Sequence, residues 1–332
     1  MEVRLTRLVA ATVMLIPSLA APNPLSVDVR PDGFTVSVAG WPEFTLDGGS
    51  TGVMSQGRWY TSADRSLAPT LGPHMSTGSD AWGDFDATTI TWGNPNTPQM
   101  RTTFRVYTDV SAIVFETSFP RGITTGAEPG NRENVSSSFP SFTLPAASTA
   151  GFSQWSGPFL NNGNGGPRFG LWNADGVRAA LSAGLQGGPI TIFDEVGAHT
   201  LVLSAASSFM ATSCALFSDE LVFGALGSAS MLPAGWSQSV VLWYGTAGIN
   251  PTVMAWGSAL MASRGKTRVV QQSDETASTL VYNTDHGAYY YYHPEDGKDF
   301  FGTLLDVHAY AEEAGIPYRV SIVYRASGVV VQ

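Results

Sequence analysis

The chain has 332 residues, of which only 13% are charged, and its formal net charge is −10. An anionic surface repels phosphate and the sequence has no basic cluster to oppose this, so nucleic acid is not expected as a partner. The 36 glycines, 20 prolines and 9 tryptophans are typical of an extracellular β protein with many turns, and not of a disordered tail or a helical bundle.

The first 20 residues have the pattern of a secretory signal peptide. Arg4 and Arg7 precede an apolar run, and the small residues Ser18 and Ala20 fit a cleavage site. The run is much shorter than the ~20 residues that a bilayer-spanning helix needs. The sequence therefore predicts a secreted protein with no membrane partner after cleavage. An uncleaved N-terminal membrane anchor is the alternative.

The only cysteine, Cys214, cannot form an intrachain disulfide. It lies in an apolar stretch, residues 208–217, and is predicted to be a small buried hydrophobe and not a nucleophile or a metal ligand. The exported domain must therefore be stable through its own hydrophobic core, and the chain is long enough to build one.

A period of two dominates residues 22–249 and predicts a β-sandwich domain. Residues 25–30 and 34–38 alternate between apolar and polar side chains around a turn, which indicates a hairpin. Many short strands with turn residues between them, and no helical pattern, favour two packed sheets. Further strands are predicted at residues 87–92, 103–107, 112–119, 188–193, 200–205 and 237–244.

The period changes at Asn250, where a linking helix is predicted over residues 250–264. Asn250 is a good N-cap, and Val253, Trp256 and Leu260 repeat at intervals of three and four residues. This apolar stripe predicts that the helix docks on the sandwich, with Trp256 buried.

After a connection that ends near residue 278, the segment 279–332 has a strand, helix, strand pattern. Strands are predicted at 279–283 and 318–324, with a helix over 299–314 that Asp299 caps. Such a βαβ unit is the repeating piece of a parallel sheet or a (β/α)₈ barrel. The inner face of the helix is predicted to hold Phe301, Leu304, Leu305, Val307, His308 and Ala311.

Several segments resemble a known group of proteins. Residues 283–292, 303–311 and 315–319 resemble the first strand, first helix and second strand of a barrel, and residues 82–92 and 139–142 resemble the sandwich before it. The resemblance is to secreted glycoside-hydrolase-like proteins, distantly similar to α-galactosidases and raffinose synthases. It implies a mostly β fold, an N-terminal β-supersandwich followed by a linking helix and an incomplete βαβ start of a (β/α)₈ barrel.

The resemblance also implies a carbohydrate partner and a sugar-binding position. In related barrels an acidic residue at the carboxyl end of the first strand bonds sugar hydroxyls, and Asp285 is the residue that matches. Asn283 and Tyr289 are predicted to bind substrate beside it. Asp285 as the cap of a turn before Gly287, and tyrosines that only pack, are the alternatives. No cofactor is expected, and no metal, since His286 and His293 have no third ligand nearby.

The resemblance gives no positions for a catalytic carboxylate pair. A retaining glycosidase needs two carboxylates roughly 5–5.5 Å apart, and in the resembled barrels these come from later strands. The leading hypothesis is therefore a fragment of a carbohydrate-active protein that is inactive alone. The alternatives are a carbohydrate-binding sandwich that presents Trp59 or Trp82 to a polysaccharide, and a structural cell-wall protein. Asn134 begins a possible N-glycosylation site, although a chance occurrence explains the pattern equally well.

Overall fold

A computed structural model describes residues 23–30, 33–94, 97–126, 135–154, 168–181, 188–267, 278–283, 290, 293–325 and 328–331. The predicted signal peptide lies outside these residues. None of the helices in the described ranges combines the length and the apolar content that crossing a membrane requires. The chain divides into two compact units, Met1–Leu260 and Met261–Gln332.

The first unit is built mainly from short strands. In its first half these are β1 (Leu25–Arg30), β2 (Gly33–Val38), β3 (Thr45–Gly48), β4 (Gly52–Ser55), β5 (Arg58–Thr61), β6 (Ala68–Asp80), β7 (Gly83–Asn94), β8 (Thr97–Tyr107), β9 (Ala112–Phe119) and β10 (Ile123–Thr124). They are followed by β11 (Ser137–Ser138), β12 (Ser141–Thr143), β13 (Gly151–Gln154), β14 (Arg168–Leu171), helix α1 (Ala174–Leu181), β15 (Ile190–Phe193), β16 (Thr200–Ala205), β17 (Thr212–Phe217), β18 (Glu220–Ala225), β19 (Met231–Leu232), β20 (Trp236–Gly245) and helix α2 (Ile249–Ser263).

Two antiparallel sheets form the sandwich and confirm the predicted mostly β fold class. The larger sheet has the strand order β14-β13-β15-β16-β20-β9-β8-β7-β6, and the smaller one has the order β1-β2-β3-β12-β18-β17. The predicted first hairpin is confirmed, with Leu25 opposite Val38. Small sheets of β11-β4-β5 and β10-β19 complete the unit.

Aromatic side chains from both sheets meet in one core. Phe34 of the smaller sheet lies with its ring centre 5.0 Å from Phe104 and 5.7 Å from Phe115 of the larger sheet. Phe142 packs edge-on to Phe115 at 5.7 Å. These rings are almost fully buried, and edge-to-face packing of this kind suits the positive ring edge and negative ring face.

Many elements of the first unit were not predicted, among them β3 to β6, β10 to β14, the β17–β18 hairpin, β19 and helix α1. Strand β6 is an edge strand that is exposed along nearly its whole length. Its two prolines and two glycines are unfavourable within strands, so the sequence did not indicate a strand here. Its pairing with β7 has register shifts between Pro69 and Leu71 and between Leu71 and His74, in the stretch that holds both prolines and one of the glycines. Helix α1 is only eight residues long, too short for a clear helical period.

Helix α2 confirms the predicted linking helix, with a different start. It begins at Ile249, so Asn250 lies inside the first turn and is not the N-cap, and Thr252 is its buried residue. Trp256 is half-buried, and its indole Nε1–H donates to Ser204 Oγ of β16 at 2.9 Å. The helix therefore docks on the larger sheet through a hydrogen bond as well as through apolar packing.

The second unit contains the predicted βαβ arrangement, with β21 (Leu280–Asn283), helix α3 (Phe300–Glu313) and β22 (Tyr318–Arg325). Strands β21 and β22 pair in parallel, and β23 (Gly328–Val331) adds to β22 in the antiparallel sense. The predicted cap is confirmed, because Gly302 N–H donates to Asp299 Oδ1 at 2.7 Å. The predicted inner face is partly wrong. Phe301 and Leu305 are 59% and 52% exposed, while Thr303 and Ala311 are buried.

Candidate functional site

The carboxyl end of β21 is the place where the sequence predicts sugar binding. Asn283 is the last residue of this strand, and it lies opposite Ile322 in the parallel pair with β22. Asp285 and Tyr289 lie outside the described residues, so their roles stay predictions. The same holds for Asn134, whose neighbours Val135 and Ser136 are both buried.

A second candidate site lies on the first unit, at the tip of the β17–β18 hairpin. Because side chains alternate along a strand, the hairpin has two faces. Cys214 and Phe223 point into the main aromatic core, which confirms the buried cysteine. Ala215 and Val222 lie on the other face, where the half-buried ring of Trp59 from β5 packs against them.

At the tip of this hairpin the outer face opens into a cavity of about 510 Å³, which we call the Trp59 cleft. Phe217 and Glu220 are directly opposite each other in the antiparallel pair and both line it. The rings of Phe217 and Trp59 pack edge-to-face with centres 5.9 Å apart. Ser50 and Ser138 contribute polar groups to the same wall.

Ser50 holds the Glu220 carboxylate in place. The Ser50 N–H donates to Glu220 Oε2 at 2.9 Å, and its hydroxyl donates to Oε1 at 2.8 Å. The Ser50 carbonyl in turn accepts from the hydroxyls of Ser138 and Ser141 at 2.8 and 2.9 Å. A side chain at Gly49 would place its Cβ 2.7 Å from the carboxylate, so glycine is needed for this close approach.

A neighbouring cavity of about 450 Å³, which we call the Arg65 cavity, shares Ser50 and Glu220 with the Trp59 cleft. Arg65 lines it and forms no ion pair with any described residue. Arg65, which lines the Arg65 cavity, and Ser218, which lines the Trp59 cleft, have left-handed φ values of 61° and 52°. Both residues lie in turns, since Ser218 is in the two-residue turn of the β17–β18 hairpin and the Arg65 N–H donates to Ser62 O, and positive φ values are common in such turns.

The two tryptophans proposed as sugar platforms have different environments. Trp82 Nε1–H donates to Ala259 O of α2 at 3.0 Å, and its ring packs on Tyr107 and Trp243. Trp82 therefore holds α2 on the sheet, whereas Trp59 lines an open cleft.

A separate polar cluster lies on β8, where Arg105 forms ion pairs with Asp80 and Glu116. The Tyr107 hydroxyl donates to Asp80 at 2.7 Å. Burial, and then this hydrogen bond, raise the pKa of Tyr107 well above its ordinary value. All three charged groups are already paired, so this cluster is a structural network. Among the described residues, no group of three or more His, Cys, Asp or Glu side chains could hold a metal ion.

Sequence reasoning missed the Trp59 cleft except for Trp59 itself. Its carboxylate, on Glu220, and the serine that holds it, Ser50, are 170 residues apart in the sequence. They meet only because β3 and β18 both pair with β12 in the smaller sheet. The one local signal was the two-residue turn between Phe217 and Glu220, which places an aromatic ring and a carboxylate on one face.

Neither a family model nor a curated protein matches the sequence. Among solved structures, the chain is similar to an α-N-acetylgalactosaminidase, NagBb from Bifidobacterium bifidum. The quadruple mutant of that enzyme matches with a TM-score of 0.51 and 9% identity, over 89% of this chain and 50% of that chain. Its Gal-NHAc-DNJ complex matches with a TM-score of 0.51 and 12% identity, over 88% and 48% of the two chains.

The GalNAc complex of the same enzyme has a TM-score of 0.50 at 10% identity, over 88% of this chain and 48% of that chain. This chain thus spans about half the length of the solved structures that it matches. At such low identity the likeness concerns the fold alone. The chain has a glycoside-hydrolase-like fold.

Proposed function

We propose that the protein is a secreted, glycoside-hydrolase-like protein that binds carbohydrate, and that these 332 residues do not hydrolyse glycosides by themselves. The observation that carries the proposal is the parallel pairing of β21 with β22 across α3, with Asn283 at the carboxyl end of β21. In barrels built from such units, ligands bind at this end of the strands.

The residues predicted to bind the sugar, Asp285 and Tyr289, come shortly after β21 in the sequence. A carboxylate such as Asp285 accepts two or more hydroxyl donors, and Tyr289 offers a ring for packing against a sugar. The GalNAc complex of the similar enzyme is consistent with a carbohydrate ligand for this fold. Lack of turnover is proposed because the sequence offers no positions that match the catalytic carboxylate pair of the resembled barrels.

The test is an array of oligosaccharides probed with the full chain, followed by calorimetric titration of the best ligand. Asp285→Asn keeps the shape of the side chain and removes its charge, and it should weaken binding at least ~10-fold. Asp296→Asn is the matched control, because Asp296 is an exposed carboxylate of the same unit, and it should bind as the wild type does.

Two results would contradict this proposal. One is the absence of binding to any oligosaccharide by the wild-type protein. The other is hydrolysis of an aryl glycoside that Asp285→Asn abolishes, since that would make Asp285 a catalytic residue. Secretion is tested separately, by sequencing the N-terminus of the exported protein, where the proposal expects cleavage near Ala20 or Ala21.

A further inference from the structure

We propose that the Trp59 cleft and the Arg65 cavity together bind two neighbouring units of a neutral oligosaccharide, with Glu220 between the two units. The inference rests on the proposed function for its class of ligand, but it assigns a second site, built from residues of the sandwich and not from those that follow β21. The two cavities adjoin, because Ser50 and Glu220 line both, and the proposal places one extended ligand across them.

The first part of the argument is the aromatic wall. A pyranose ring has an apolar face of C–H groups, and an indole or phenyl ring provides a large, rigid contact for it at low entropic cost. Trp59 packs against Ala215 and Val222, which limits its freedom before a ligand arrives. Phe217, 36% exposed, lies edge-on to it and closes the apolar side of the cleft.

The second part is the fixed carboxylate. Two carboxylate oxygens have about four acceptor positions. Ser50 occupies one on each oxygen, which leaves one on each for ligand donors. A sugar with neighbouring hydroxyl groups supplies two such donors. The serine hydroxyls that hold the Ser50 carbonyl keep this acceptor pair oriented, so binding does not have to order it.

The third part is charge and size. The cavities measure about 510 and 450 Å³, within the ~300–1,000 Å³ typical of small-molecule sites. Arg65 adds N–H donors for sugar oxygens in the second cavity.

A sugar acid is disfavoured as the ligand because its carboxylate would approach Glu220 on a chain of net charge −10. A purely apolar ligand is also disfavoured, since it would bury the Glu220 acceptors without supplying hydrogen-bond donors.

The experiment uses the full chain, an array of neutral and uronate-containing oligosaccharides, and calorimetric titration of the best ligand. Trp59→Ala and Glu220→Gln should each weaken binding at least ~10-fold. Phe217→Ala is a second aromatic variant that removes a partly exposed ring at a hairpin tip, so it should leave the fold intact. Phe169→Ala is the matched control, because Phe169 is a 65% exposed ring on β14 that does not line either cavity, and it should bind normally.

Three outcomes overturn the inference, and they separate it from the proposed function. Normal binding by Trp59→Ala, Phe217→Ala and Glu220→Gln, with loss in Asp285→Asn, rejects the cleft and leaves the proposed function standing. Selective binding of uronate-containing oligosaccharides rejects the proposal that the ligand is neutral. Absence of any glycan binding by the wild type rejects both proposals. Loss in the cleft variants with normal binding by Phe169→Ala supports the second site.

Discussion

The sandwich and the βαβ unit bury their apolar side chains to very different extents. In the sandwich, Phe115 and Phe142 are at most 1% exposed, and a single cluster of buried residues extends through both sheets. In the second unit, α3 buries only Thr303 and Ala311 among its described side chains, and Tyr310 is 68% exposed. Both regions have regular secondary structure, so a regular backbone alone does not indicate a packed core.

The cause of the difference is the number of layers. A sheet with one apolar face becomes stable when a second sheet covers that face, as happens in the sandwich. The second unit has only one helix and one three-stranded sheet among its described residues, and both outer strands of this sheet, β21 and β23, have one open edge there. The free energy of unfolding should therefore come mainly from the sandwich.

The largest expected effect is the loss of stability in Phe115→Ala. Phe115 packs against Phe34 and Phe142 at the centre of the core, so its truncation should lower the free energy of unfolding by about 3–5 kcal/mol. All nine tryptophans lie between residues 41 and 256, so tryptophan fluorescence during denaturant unfolding reports on the sandwich.

Leu305→Ala is the comparison variant in the second unit. Leu305 is 52% exposed, so truncation should change the free energy of unfolding by no more than ~0.5 kcal/mol, measured by circular dichroism. If Leu305→Ala proved as destabilising as Phe115→Ala, the second unit would have a core of its own and the contrast between the units would be wrong.

A smaller effect is expected at alkaline pH. An unfolded tyrosine loses its proton near pH 10, whereas burial and the bond to Asp80 raise the pKa of folded Tyr107 above that value. Stability from this group is therefore complete below about pH 10 and is lost as the pH rises further. Unfolding above pH 10 should depend on pH less steeply in Tyr107→Phe than in the wild type.

The control for this pH effect is Tyr310→Phe, which changes an exposed ring of the second unit and should follow the wild type. Equal pH dependence of the wild type and Tyr107→Phe would show that the phenol does not contribute.

The sequence predicted what depends on local periodicity. Alternating runs such as residues 112–119 and 200–205 coincide with β9 and β16, and the stripe with Trp256 located α2. Prediction from the sequence failed where tertiary contacts outweigh the local preference of the residues. Ladder bonds to β7 keep β6 extended despite Pro69 and Pro73, and the helical pattern of α3 did not show that Phe301 would be exposed.

The candidate sites show the same division. Asn283 ends β21 and Asp285 comes two residues later in the sequence, so the pattern and the resemblance predicted both at the carboxyl end of the strand, and the structure places Asn283 there. Glu220 and Ser50 are distant in the sequence, and neither belongs to a motif. Only the pairing of strands across the smaller sheet places them together, and one sequence without this pairing does not contain that information.

The most direct test of carbohydrate binding by this fold is hydrogen exchange of the full chain with and without the best oligosaccharide. The account predicts slower amide exchange in peptides covering residues 49–61 and 215–221, which form the Trp59 cleft, and in the peptide that follows β21. Phe169, on β14, lies in a segment that should exchange at the same rate in both samples. Unchanged exchange at all of these segments with a saturating ligand would contradict the account.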